Sequence, residues 1–129
     1  MIAVDTNILV RLLTRDDEAQ FKVSRKLFST AEIFIPDTVV LETEWVLRCA
    51  YELQPVEVCD AFRRVFGLRN IHLANGRYMA QAIVWHEQGL DFADALHLAA
   101  SQGSEALKTF DSAFIRQAKT IPGCSVERP

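Results

Sequence analysis

Glycine and proline are scarce in this chain, 5 and 4 residues of 129, which removes collagen-like and linker-rich architectures. The three cysteines, Cys49, Cys59 and Cys124, are odd in number, form no CxxC pair and have no histidine at a zinc-binding spacing. That argues against a disulfide framework. No apolar run approaches the ~18 uninterrupted residues of a membrane span. Asp5 breaks the opening run Met1-Ile2-Ala3-Val4 and Arg11 splits the next, which speaks against a signal peptide and makes the cytoplasm the expected compartment. Positive charge is also in short supply: 14 Lys and Arg against 17 Asp and Glu give a net charge of −3 and a pI near 5.6. The overall basic field that advertises a nucleic-acid binder is missing.

What the chain does have is apolar mass. Half of its residues are hydrophobic and the mean hydropathy is +0.07, which suits an ordinary globular core and excludes disorder. At roughly 150 residues per domain, one domain over residues 1–129 is expected.

Strand-like runs alternate with helical segments. Ile2 to Asp5 reads as a short strand ending in a carboxylate, and a helix over Ile8 to Leu13 follows a polar Thr6-Asn7 break. The acids Asp16, Asp17 and Glu18 suit the start of a helix whose stripe is Ala19, Val23, Leu27 and Ala31. Ile33 to Ile35 is a strand before Pro36, and Asp37 or Thr38 can cap a helix from Val39 to about Tyr51. Pro55 opens the next helix and Gly67 stops it. Ile71 to Leu73 reads as an edge strand, and Asn75 to Gln88 as a helix ended by Gly89. A helix runs from Asp91 to about Gln102, Ala106 to Phe110 is a strand, Asp111 or Ser112 caps a last short helix, and Cys124 to Glu127 is a final strand. Such alternation predicts an α/β fold with a central, mostly parallel sheet flanked by helices on both faces.

The acids divide by whether a helical neighbour at i±3 or i±4 can neutralise them. Glu44 faces Arg48, and Asp60 faces Arg63 and Arg64; both read as solvated surface pairs. Glu42 faces Thr38, Val39, Trp45, Val46 and Cys49, with no cation among them. Either this edge of the helix opens onto a cleft, or something cationic sits there, or Glu42 stands partly exposed with a water shell. Asp94 faces Leu90, Asp91, His97 and Leu98, and only a protonated His97 could counter it. Asp91 reads as an N-cap and Asp94 as a first-turn acid of a buried helix. Asp5 and Asp111 each close a strand, on the edge where open α/β sheets place ligands; taken singly, they read as a loop acid and a helix cap.

Taken together, Asp5, Glu42, Asp94 and Asp111 make a stronger case. Two carboxylates about 4 Å apart repel by roughly 4 kcal/mol at an effective dielectric near 20, so a cluster of four calls for a cation. Oxygen donors without a Cys or His set select Mg²⁺ or Mn²⁺. Such an ion acidifies water and neutralises charge on a phosphodiester, which points to metal-dependent hydrolysis.

Met1-Ile2-Ala3-Val4-Asp5-Thr6-Asn7-Ile8-Leu9-Val10, Leu41-Glu42-Thr43-Glu44-Trp45-Val46-Leu47, Gly89-Leu90-Asp91-Phe92-Ala93-Asp94-Ala95-Leu96 and Thr109-Phe110-Asp111 resemble the PIN-domain ribonucleases, most closely the VapC-type toxins of toxin-antitoxin pairs. The motifs stand in family order over nearly the whole chain. The resemblance implies a parallel-sheet fold and Mg²⁺- or Mn²⁺-dependent cleavage of single-stranded RNA, with Asp5, Glu42, Asp94 and Asp111 as the first to fourth acids. It also implies Asn7 and Thr109 as flanking donors that orient carboxylates, Asp91 as an extra acid, a homodimer, and a small antitoxin partner that reaches the acidic cleft.

Arg11, beside the Asp5 loop, is the best candidate for a phosphate contact. Arg15, Lys22, Arg25 and Lys26, and later Arg48, Arg63, Arg64, Arg69 and Arg77, read as solvated helix faces. Trp45, Trp85, Phe62 and Phe66 fall at helical spacing and suit a core or a dimer surface better than base stacking. His97 reads as a packed histidine before a proton-transfer group. Two other classes stay open. An aspartyl-phosphate phosphohydrolase would use Asp5 as nucleophile, although its second acid two residues on is here Asn7; a non-catalytic partner-binding domain would use the acids only to place a metal or repel wrong ligands. A nucleotide-binding module is poorly served, since no glycine-rich loop follows the first strand.

Overall fold

Ile2–Ala3 (β1), Ile33–Phe34 (β2) and Ile71–His72 (β3) pair in parallel in the order β1-β2-β3. Ile2 stands opposite Ile33 and Ile33 opposite Ile71. Parallel neighbours require a crossover between them, and helices supply it: Thr6–Thr14 (α1) and Glu18–Thr30 (α2) after β1, then Asp37–Cys49 (α3) and Pro55–Phe66 (α4) after β2. The computed structural model describes all 129 residues and divides into two compact units, Met1–Gly76 and Arg77–Pro129. The second unit carries Gly76–Glu87 (α5), Phe92–Ala100 (α6), Ala106–Lys108 (β4), Ser112–Ala118 (α7) and Ser125–Glu127 (β5). Here β4 and β5 pair in parallel, with Leu107 opposite Val126. The chain is therefore α/β with seven helices, and every strand pairing is parallel, as the alternation of elements predicts; the pairings form two sheets, one in each unit.

In the first unit the buried side chains include Leu9, Val10, Phe21, Phe28, Ile33, Ile35, Val40, Leu47, Val58 and Phe62. Four local expectations need correction. Helix α1 begins at Thr6, two residues before Ile8, because the Asp5 side chain caps it and draws Thr6 and Asn7 into the first turn. On α2 the buried face is Phe21, Ser24 and Phe28, not the stripe of Ala19, Val23, Leu27 and Ala31. Val23 is 67% exposed; the larger phenylalanines take the interior because they bury more apolar area. Helix α3 starts at Asp37 with Pro36 as its N-cap, so Asp37 is a first-turn residue and not the cap.

The fourth correction concerns Glu44. It is buried, and Arg48 covers it with Nε at 2.9 Å from Oε2 and Nη2 at 3.4 Å from Oε1. The i, i+4 pairing holds, but the pair is not a solvated one. Pro55 occupies the first turn of α4 as its sequence position suggests, the Glu57 carboxylate accepts from Gln54 N–H at 3.0 Å, and Gly67 ends the helix.

In the second unit Met79, Ile83, Trp85, Phe92, Ala95, Leu98 and Phe114 are buried. Gly89 has φ +116°, a region that residues with a Cβ rarely adopt, and this lets the chain leave α5 and turn into α6. Helix α6 stops at Ala100, short of Gln102. Of the four aromatic residues singled out, Trp85 and Phe62 are core while Trp45 is 57% exposed.

Candidate active site

Asp5 follows β1 directly, and its Oδ1 accepts the Ile8 N–H at 3.3 Å as the N-cap of α1. It is exposed, and its Oδ2 takes no hydrogen bond. The next residue, Thr6, is buried, and its hydroxyl donates to Glu42 Oε1 on α3. Glu42 itself is exposed and keeps Oε2 open. One threonine thus ties the second acid to the strand-to-helix junction that presents the first. Sequence reading passed over Thr6 as part of a polar break; the signal was its place in an Asp-Thr-Asn run straight after a strand. Asn7 is exposed and makes no hydrogen bond to either carboxylate.

In the second unit Asp91 Oδ2 accepts the Asp94 N–H at 3.2 Å as the N-cap of α6. Asp111 caps α7, its Oδ1 accepting from Ala113 N–H at 2.9 Å and Phe114 N–H at 3.1 Å. The Thr109 hydroxyl oxygen accepts the Asp111 N–H at 3.1 Å and so fixes the residue, although through its backbone. Asp94 is half-buried. Its burial, and then the charges of Asp91 and Asp111, hold its carboxyl above the usual aspartate value, with His97 opposing them. Asp91 and Asp111 are therefore each within electrostatic reach of Asp94. His97 is exposed, so it is not the packed histidine expected.

None of Asp5, Glu42, Asp94 and Asp111 is in an ion pair, whereas Asp16, Glu18, Glu44 and Glu127 all are. Asp16, Asp17 and Glu18 do have the structural roles their positions suggest: Asp17 caps α2, and Asp16 receives Arg11 at 3.0 Å and the Tyr51 hydroxyl at 2.5 Å. Arg11 is fastened by that contact and by Nε to Gln20 Oε1 at 2.6 Å. Together with Asp5 and Asn7 it lines a groove of about 480 Å³ between α1 and α2.

The donor set fits a hard divalent cation. Asp5 and Glu42 in the first unit and Asp111 in the second each keep one carboxylate oxygen beyond the capping or holding bond, and the Asp94 carboxylate takes no hydrogen bond. Nowhere are three or more His, Cys, Asp or Glu side chains gathered into an arrangement that encloses an ion. Mg²⁺ needs no such cage, since it keeps several waters and takes one or two carboxylates. A family model described as the PIN domain matches residues 2–120. None of the curated proteins compared with the chain matches it.

Proposed function

The chain belongs to the PIN domain family, whose members are generally nucleases, and from that premise we propose that it is a metal-dependent endoribonuclease acting on single-stranded RNA. We propose further that residues 1–129 act as one domain in which Asp5, Glu42, Asp94 and Asp111 serve the same Mg²⁺ or Mn²⁺. The observation that carries this reading is the contrast among the acids. Asp16, Glu18, Glu44 and Glu127 are each paired with an arginine or lysine, while these four keep open oxygens and have no such partner.

The bound ion supplies positive charge against the phosphodiester and acidifies water. The chain's own residues do the rest. Asp5 and Asp111 are held by the helices they cap, so their free oxygens are presented without a search over rotamers. Thr6 orients Glu42 and Thr109 orients Asp111, as residues behind a metal ligand do. Asp94, whose ionised form is disfavoured first by burial and then by Asp91 and Asp111, would be relieved by a cation.

The order and spacing of the motifs also support a VapC-type toxin, working in the cytoplasm as a homodimer under the control of a small antitoxin. No helix is long and apolar enough to cross a membrane. The test is cleavage of labelled single-stranded RNA, duplex RNA and single-stranded DNA in Mg²⁺, in Mn²⁺ and in EDTA, beside Asp5→Asn and Asp94→Asn. We expect cleavage of single-stranded RNA only, dependent on metal and lost in both variants. Calorimetric titration of Mg²⁺ gives an independent readout, with binding weakened in both. Full-rate cleavage by either variant sinks the assignment.

A further inference from the structure

Strands β4 and β5 run parallel, so both release the chain at the same edge of their sheet, the edge where parallel sheets place ligands. There β4 leads to Asp111 and β5 leads to Arg128. The Thr109 N–H donates to the Glu127 carbonyl at 3.0 Å, which carries the pairing one residue past Lys108 and brings Arg128 alongside the Asp111 turn. Its guanidinium straddles that turn. Nη2 donates to Ser112 Oγ at 2.5 Å, and Nη1 stands 3.5 Å from the Phe110 carbonyl oxygen. One arginine thus touches the residues on both sides of the proposed fourth acid. It lies beyond the residues that the PIN domain model matches, so family membership assigns it no role.

Two groups at this corner do nothing for the core. Arg128 is exposed and in no ion pair, its two acceptors are neutral oxygens, and three of its five N–H donors are left over. Phe110 is 79% exposed, more than any other aromatic ring in the chain. Asp111 stands between the ring and Ser112, which holds the guanidinium. An open aromatic face and a cation with spare donors are the two groups that a single-stranded nucleotide uses, the first for its base and the second for its phosphate. A protein partner would have to supply an apolar cover for Phe110 and an acid for Arg128. That acid would face the Asp111 carboxylate without being the group that the proposed ion receives, whereas a nucleotide of the strand being cut brings base and phosphate to the ion together.

Resting on the ribonuclease reading above, we propose that Phe110 and Arg128 form a nucleotide subsite adjoining Asp111, in which Phe110 stacks a base of the single-stranded RNA and Arg128, held by Ser112, binds a phosphate next to the scissile one.

The experiment has two arms. Binding is read by fluorescence anisotropy of labelled A and U dodecamers in Mg²⁺, in an Asp5→Asn background that removes cleavage and leaves the second unit untouched. Cleavage of the same RNAs by the otherwise wild-type protein gives kcat and KM. Phe110→Ala is expected to weaken binding and raise KM about tenfold, the scale of one lost base stack, with kcat and Tm unchanged. Phe110→Trp keeps a stacking face and should restore both. Arg128→Gln is expected to raise KM and to flatten the dependence of log K on log salt by roughly 0.7, one phosphate contact on a single strand; Arg128→Lys keeps the charge and should recover the slope. Ser112→Ala frees the guanidinium without removing it, and repeats the test with a smaller rise in KM should Arg128→Gln disturb folding. If the wild type binds and cuts RNA while the Phe110 and Arg128 variants match it in affinity, KM and salt slope, the subsite is overturned and the nuclease reading stands. If the wild type neither binds nor cuts, both fall. If the variants lose Tm and kcat together with an unchanged salt slope, the two residues only brace the Asp111 turn and the proposal is overturned. If Phe110→Ala changes the sedimentation of the protein and leaves RNA affinity intact, a second copy covers the ring and the proposal is overturned.

Discussion

The Thr6 hydroxyl donates to the Glu42 carboxylate and so joins residues 36 positions apart in sequence. Thr6 sits in the first turn of α1 behind the capping Asp5, while Glu42 projects from α3. The bond makes the orientation of one proposed metal ligand depend on the residue next to another.

Thr6→Val keeps the buried shape and removes the donor. RNA cleavage is expected to fall about tenfold, the scale of losing an outer-shell partner of a metal ligand, while stability falls by about 1 kcal/mol. Thr6→Ser restores the donor and should recover most of the activity. Parallel losses of activity and Tm in both variants would mean that Thr6 is only a packing residue.

Glu42 and Glu44 differ by two residues and have opposite environments, one exposed with an open oxygen and the other buried under Arg48. Glu42→Gln should abolish most metal-dependent cleavage with little change in Tm. Arg48→Met should instead destabilise the fold by about 2 kcal/mol, because it strips charge-assisted bonds from a buried carboxylate, while the folded fraction keeps its cleavage rate. Urea melts set beside single-turnover rates separate the two outcomes.

Asp111 has a structural duty and a proposed chemical one, and different atoms bear them. Its Oδ1 accepts from Ala113 and Phe114. Asparagine caps as well as aspartate, so Asp111→Asn should hold its Tm and lose activity. Asp111→Ala should lose activity and about 1 kcal/mol of stability together. An Asp111→Asn enzyme of normal rate would leave the residue a cap and nothing more.

Asp94 gives a pH dependence with a definite sign. Its carboxyl is raised above 3.8, first by burial and then by Asp91 and Asp111, so the folded chain holds the proton more tightly than the unfolded one. Without divalent ions the resulting penalty is absent at pH values below 3.8, grows as the pH rises through the folded value, and is complete above it. Metal-free Asp94→Asn should therefore melt above the wild type at neutral pH and match it in acid. Mg²⁺ should raise the Tm of the wild type and much less that of the variant.

Asp16 runs the other way. The Tyr51 hydroxyl holds its carboxyl below 3.8, burial opposes that, and Thr14 and Arg11 add to it. Its contribution to stability is present above 3.8 and is lost as the pH falls through the lowered folded value. Tyr51→Phe should bring the Asp16 titration, followed by carboxyl NMR, back up toward 3.8. A midpoint that stays put would assign the depression to Arg11 and Thr14.

Much of this protein was legible one segment at a time. The alternation of strands and helices, Pro55 at a helix start, Gly67 and Gly89 at helix ends and Asp91 as a cap all rest on local rules of backbone geometry and capping, which a sequence carries in full. The sorting of acids by helical neighbours also identified Arg48 as the partner of Glu44, since i, i+4 contacts are local. Whether that pair is wet or buried is not a local property. The same holds for α2, where Ala19 and Val23 make as regular a stripe as Phe21, Ser24 and Phe28, and only packing against the rest of the first unit chose the face that turns inward. Thr6 could not be matched with Glu42 for the same reason, because a contact spanning 36 positions exists only once β1, α1 and α3 have come together. By itself the sequence determined the order of the elements, some of their caps and the acids that lack a counter-charge. Tertiary structure alone decided which of two equivalent faces is buried, which of two neighbouring glutamates meets solvent, and which hydroxyl holds a carboxylate, because each depends on what lies across space and not along the chain.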